Sequence, residues 1–108
     1  MAEVIKRLGT TVATSATNIH DNGATASTYT VVSRIVIANT SATSYTYNVS
    51  TSAVTGTHGA YIVSGATIAG NDSVMLGDGV CLDPTNRYLV AHSSNAAVHI
   101  TAYGLTGP

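Results

Sequence analysis

Charged residues are scarce in this chain. Of 108 residues only four are Lys or Arg and five are Asp or Glu, against a usual charged share of about a quarter. The net charge of −1 supplies no field to gather nucleic acid or anionic lipid, so neither is expected as a partner. A single cysteine, Cys81, excludes an internal disulfide and a cysteine-rich zinc site. Flanked by Val80 and Leu82, it is expected to be a small buried hydrophobe. The first residues, "MAEVIKRLGTT", hold no apolar run of the roughly 7–15 residues a signal peptide needs, and no stretch reaches the roughly 20 of a membrane span. We expect synthesis in the cytosol and use without membrane insertion.

Motifs that carry catalysis are also missing. There is no G-x-S-x-G, no glycine-rich cradle ending in Lys-Ser/Thr and no H-E-x-x-H. Asp72, Asp78 and Asp83 lack the alternating spacing and terminal Glu of a calcium loop, and read as turn-forming carboxylates. Neither an enzyme nor a cofactor is expected.

Hydroxyls and small residues fill the space left by charge: 17 Thr, 11 Ser and 15 Ala. The surface must be solvated largely by hydroxyls and amides, and a near-neutral surface tolerates association. Helical periodicity is absent, and the Thr, Val, Ile, Ser and Gly content disfavours helices. Short strands separated by Gly, Asn, Asp and Pro predict one all-β domain over residues 1–108, an antiparallel β-sandwich or jelly roll.

Residues 31–38, "VVSRIVIA", are apolar on both sides of a strand. Strict alternation puts Val31, Ile35 and Ile37 on one side and Val32, Arg34, Val36 and Ala38 on the other, so that one side meets the core and the other a subunit contact. After the turn-like "NTSATS" (39–44), Tyr45, Tyr47 and Val49 alternate with Thr46, Asn48 and Ser50 in a half-buried strand expected to pair with it. Further strands are expected at 3–8, 10–16, 59–64, 72–76 and 79–82. Residues 51–59 read as a polar surface loop, and residues 1–8 and 104–108 as extended docking segments.

Two alternating runs flank "SSNA" (93–96) and predict a hairpin. Leu89, Ala91, Val98, Ile100 and Ala102 then face inward. Tyr88, Val90, His92, Ala97, His99, Thr101 and Tyr103 share a half-apolar outer face suited to a neighbouring subunit. The expected contact residues are therefore Val32, Arg34, Val36, Tyr88, Val90, His92, His99 and Tyr103. Four histidines, at 20, 58, 92 and 99, are the only candidate metal ligands. The hairpin would bring His92 and His99 together, but two ligands do not define a site and none is expected. The sequons at Asn39, Asn48 and Asn71 are close to what chance gives in so hydroxyl-rich a chain. Six tyrosines are the only aromatics, expected at core margins or contacts, with a sugar platform as the alternative.

The Val32-to-Asn39 strand, the Ile68-to-Ser73 segment and the run from Ser94-Asn95-Ala96 to Ala102-Tyr103-Gly104 together resemble small β-rich virion structural proteins of tailed bacteriophages, including cyanophages. The resemblance spans roughly residues 8 to 104. It departs at 19–30, where "IHDNGATASTYT" with its Asp21-Asn22-Gly23 turn stands in place of an Ile-Tyr-Thr-Val-Pro-like segment. It implies a particle component made in the host cytoplasm and carried on the virion. The first expectation is a capsid decoration, or cement, protein, self-associating as a homo-oligomer, with a trimer favoured, and binding the major capsid protein or other virion proteins. A tail, neck, baseplate or fibre-attachment adaptor is second, and a carbohydrate-binding host-attachment module a more distant third.

Overall fold

A computed structural model describes residues 5–24, 27–77 and 80–107. It is an all-β sandwich of two antiparallel sheets. The strands are β1 (Lys6–Thr11), β2 (Thr17–Asp21), β3 (Tyr29–Asn39), β4 (Tyr45–Ser52), β5 (Ala60–Ile68), β6 (Ser73–Leu76), β7 (Val80–Leu82), β8 (Tyr88–Ser93) and β9 (Val98–Gly107). One sheet has the order β1-β9-β3-β6, with β7 also pairing β3; the other has the order β2-β8-β4-β5. Only the β4–β5 and β6–β7 connections stay within a sheet. Every other connection crosses the core.

That crossing overturns two expected pairings. The "NTSATS" turn takes the chain from β3 to β4 in the opposite sheet, so the two strands are not partners. Asn39, almost fully buried, holds the crossing: its amide nitrogen donates to the carbonyls of Thr43, Ile68 and Ala69, and its Oδ1 accepts from Ser41 N–H. The 93–96 turn likewise crosses between sheets, so β8 and β9 form no hairpin. The inward face expected of that hairpin is nonetheless right, because Leu89, Ala91, Val98, Ile100 and Ala102 are all core residues. Alternation decides which way a side chain points and is blind to which strand lies beside it.

The longest strand carries a β-bulge. Val32 pairs with Gly104 and Arg34 with Tyr103, leaving Ser33 as the extra residue, its hydroxyl donating to the Tyr103 carbonyl at 3.2 Å. The bulge inverts the alternation midway. Val32, Ile35 and Ile37 all face the core, at 1%, 1% and 0% exposure, whereas Val31 is 36% exposed. Strict alternation had placed Val31 inward and Val32 outward; the structure reverses both. Opposite the bulge only glycine fits at 104, since a Cβ there would collide with the Val31 carbonyl.

Other boundaries shift too. Residues 6–11 form one strand rather than parts of two, β2 lies where no strand was expected and takes in Asp21 of the expected turn, and β4 absorbs Thr51 and Ser52. Residues 104–107 are no loose extension: they complete β9 along β3, with Gly104 also pairing Lys6 of β1. Residues 1–4 and 108, and Asp78, lie outside the described residues. Cys81 is exposed rather than buried, because it pairs with the outward-facing Val31. Asp72 and Asp83 do serve turns, accepting backbone N–H groups of Ser73 and of Thr85 and Asn86.

Candidate contact surface and histidine cluster

The described surface holds no pocket, which leaves the outer faces of the two sheets to compare. On the sheet built around β3 and β9, cross-strand pairing aligns side chains in rows on the solvent side. Arg7, Tyr103 and Arg34 form one row. Thr10, Thr101, Val36 and Met75 form the next, followed by His99, Ala38 and Ser73. Leu105, Val31 and Cys81 lie on the other side of the arginines. Met75 is 61% exposed. The Arg34 guanidinium lies 5.7 Å from the Tyr103 ring centroid and 3.7 Å from Met75 Sδ, so its charge spreads over apolar neighbours.

Four expected contact residues, Arg34, Val36, His99 and Tyr103, thus share one face. The other four do not join them. Val32 is in the core, where it has no area to offer a partner. Tyr88, Val90 and His92 belong to the opposite sheet. Tyr88 sits at its end beneath Arg87, which is 4.9 Å from the ring centroid and pairs at 2.8 Å with Asp21. That pairing holds the Asp21 carboxyl down at about 2.

Val90 is fully buried yet lies outside the core cluster. Its row neighbours explain this: Asn18 bonds Thr55 Oγ1 and Gly56 N, and Ser50 bonds His58. The loop 53–59 therefore folds back across the outer face of this sheet and covers Val90. Here too the contact expectation is corrected, since the chain's own loop occupies that place.

Under the loop lies a chain of polar contacts that sequence spacing did not signal. Ser50 Oγ is 2.6 Å from His58 Nδ1, His58 Nε2 is 2.7 Å from His92 Nδ1, and His92 Nε2 is 3.3 Å from Asn48 Nδ2. The expected partner of His92 was His99, which lies on the other sheet. Proton positions in the cluster follow from one backbone group. Gly65 N–H, at φ 66°, donates to Asn48 Oδ1 at 2.8 Å, which turns the amide nitrogen toward His92. Neutral His92 must then accept at Nε2 and donate from Nδ1, so His58 accepts at Nε2 and donates from Nδ1 to Ser50. A second proton on either ring would oppose two donors. Burial, followed by the neighbouring His92, pushes His58 below its ordinary value.

A serine beside a histidine invites a nucleophile reading. Ser50, however, is fully buried, and in the assigned proton order its hydroxyl oxygen is the acceptor. Tyr61 stacks on His58 with centroids 4.9 Å apart. Tyr47 is a core residue, so the Tyr45–Tyr47 pair offers no two-ring platform. His20 lies elsewhere, reaching between the sheets to Thr30 Oγ1 at 3.3 Å; burial pushes it below its ordinary value as well.

Comparison with protein-family models, curated proteins and solved structures finds no match for this chain.

Proposed function

We propose that the protein is a structural component of a tailed-phage virion, a decoration protein that assembles as a trimer and braces the capsid through the outer face of the β1-β9-β3-β6 sheet. The observation that carries this reading is that face itself: Met75, Val31, Val36, Leu105 and Tyr103 surround two arginines on the solvent side of a sheet. A contact centred on aromatic, Met and Arg side chains with few charges matches the make-up of stable protein interfaces. The scarcity of charge and the all-β sandwich suit a particle part that must persist outside a cell without disulfides, and the resemblance of residues 8 to 104 to small phage virion proteins points the same way.

Particles carrying and lacking the protein test the reading. Decoration predicts hundreds of copies per particle by quantitative mass spectrometry, and heads that leak DNA at lower temperature or milder osmotic shock when the protein is missing. Tens of copies or fewer, with label on the tail and unchanged head stability, would instead favour the tail or fibre adaptor. Glycan binding by the isolated protein, lost on changing the exposed Tyr61 or Tyr29, would favour host attachment.

A further inference from the structure

We propose that His58 and His92 form a surface site for a borderline divalent transition-metal ion, Cu²⁺ in preference to Zn²⁺, held by His58 Nε2 and His92 Nδ1 with solvent completing the coordination. This does not depend on the virion reading. The two nitrogens converge at 2.7 Å, and imidazole is the ligand that copper, nickel and zinc favour. With metal–nitrogen bonds of about 2.0–2.1 Å, a right-angled or tetrahedral pair of ligands needs nitrogens about 2.8–3.4 Å apart. The rings must therefore separate by only about 0.1–0.7 Å. His58 can supply that movement because it lies in the 53–59 loop, outside either sheet.

The surroundings of His58 already suit a ligand. Ser50 Oγ accepts the proton on Nδ1, leaving Nε2 as the unprotonated nitrogen, whose lone pair the His92 proton occupies until a metal displaces it, and a ligating histidine needs a partner such as Ser50 on its other nitrogen.

His92 must change. In the metal-free cluster its proton sits on Nδ1, the atom that would bind. Coordination moves that proton to Nε2, and the Asn48 amide must turn to accept it, giving up Gly65 N–H, which is exposed and passes to water. The exchange is a tautomer shift: one proton leaves Nδ1 and one is taken up at Nε2, with no net release. Among the described residues no third His, Cys, Asp or Glu joins the pair. The site is therefore open, unlike a closed four-ligand structural centre.

The intact chain is titrated with CuCl₂ and ZnCl₂ in a non-coordinating buffer near pH 7.5, by calorimetry and, for copper, electron paramagnetic resonance. One saturable ion per chain is expected, with two nitrogen ligands. His58→Gln and His92→Gln each weaken binding at least about ten-fold, while His99→Gln does not. Asn48→Asp strengthens it by about ten-fold, because a carboxylate accepts the relocated Nε2 proton without having to turn. As a check that needs no variant, long-range ¹H–¹⁵N spectra of the histidine rings during zinc titration should show His58 Nε2 and His92 Nδ1 shifting while His20 and His99 stay. The proposal is overturned if no saturable copper binding occurs, if the ring shifts fall on His99 or His20, if binding survives both single Gln variants, or if Asn48→Asp weakens it.

Discussion

Val31 and Val32 are adjacent, identical in chemistry and on the same strand, so exchanging each for alanine isolates the bulge at Ser33. Both variants forfeit the same β-propensity of valine, on a scale that spans about 1 kcal/mol. What differs is burial, 1% exposure at Val32 against 36% at Val31. Val32→Ala removes two buried carbons, about 1.6 kcal/mol at about 0.8 kcal/mol each, and leaves a cavity beside Ile35 that brings the total to about 2–3 kcal/mol. Val31→Ala trims a partly solvated side chain and costs about 0.5–1 kcal/mol. The expected gap is about 2 kcal/mol, read as a urea midpoint lower by about 0.7–2 M at unchanged slope, or a melting temperature lower by about 8–16 °C. Equilibrium unfolding at low micromolar concentration, repeated ten-fold higher to expose any effect of association, measures it. A larger loss at Val31 would mean that the strand alternates without interruption, and equal losses that the two side chains are equally buried; either result would make the bulge assignment wrong.

Asn39→Ala removes the donor to three carbonyls at the β3–β4 crossing and should cost about 2–3 kcal/mol in the same assay; a loss below about 0.5 kcal/mol would show that water replaces the amide. Acid stability should fall in two steps. His20 is held below the unfolded value of 6.5, so as pH drops past that value the unfolded chain takes up a proton that the fold resists, and stability declines until the folded ring titrates. Asp21, held at about 2 by Arg87 against an unfolded 3.8, stabilises fully above 3.8 and loses that contribution as pH falls toward 2. His20→Gln should shrink the first step, leaving the part that His58, lowered in the same way, contributes, and Asp21→Asn should flatten the second in urea midpoints followed from pH 7 to 2; unchanged profiles would dismiss both assignments. Arg34→Glu with Met75→Ser should leave the melting temperature within about 2 °C, since both side chains are exposed, yet abolish sedimentation with capsids. Retained binding would remove this face from the proposed contact.

The all-β class and the inward set of β8 and β9 were legible because each rests on period-two alternation, a property of single strands. Strand partners were not. In this chain successive strands change sheets at nearly every connection, and a turn that crosses the core is written in the same Ser, Asn, Ala and Thr as one that closes a hairpin. Asn39, which commits the first crossing, is a single buried amide with no sequence signature. The Ser33 bulge was equally hidden, since "VVSRIVIA" satisfies two faces at once. Its only hint was Gly104 on the partner strand, and that hint has meaning only once β3 and β9 are known to pair.

The same crossing explains why the expected contact set split. Residues that alternate outward in β8 and β9 face opposite sides of the sandwich, so a list that seemed to describe one surface describes two. On the β9 side Arg34, Val36, His99 and Tyr103 share one solvent-side face with the exposed Met75 and Val31. On the β8 side the 53–59 loop folds over Val90 and Ser50 and brings His58 to His92, although 34 positions separate them. A polar loop in sequence thus becomes a lid in space. The proton order beneath it follows from the orientation of one amide, Asn48, which a single backbone N–H at Gly65 holds in place. If Gly65→Ala, strained at its positive φ, lets that amide turn, the histidine tautomers should exchange even without metal. Ring ¹⁵N shifts would then show His92 protonated at Nε2. Shifts identical to those of the unaltered chain would mean that the proton order is set elsewhere.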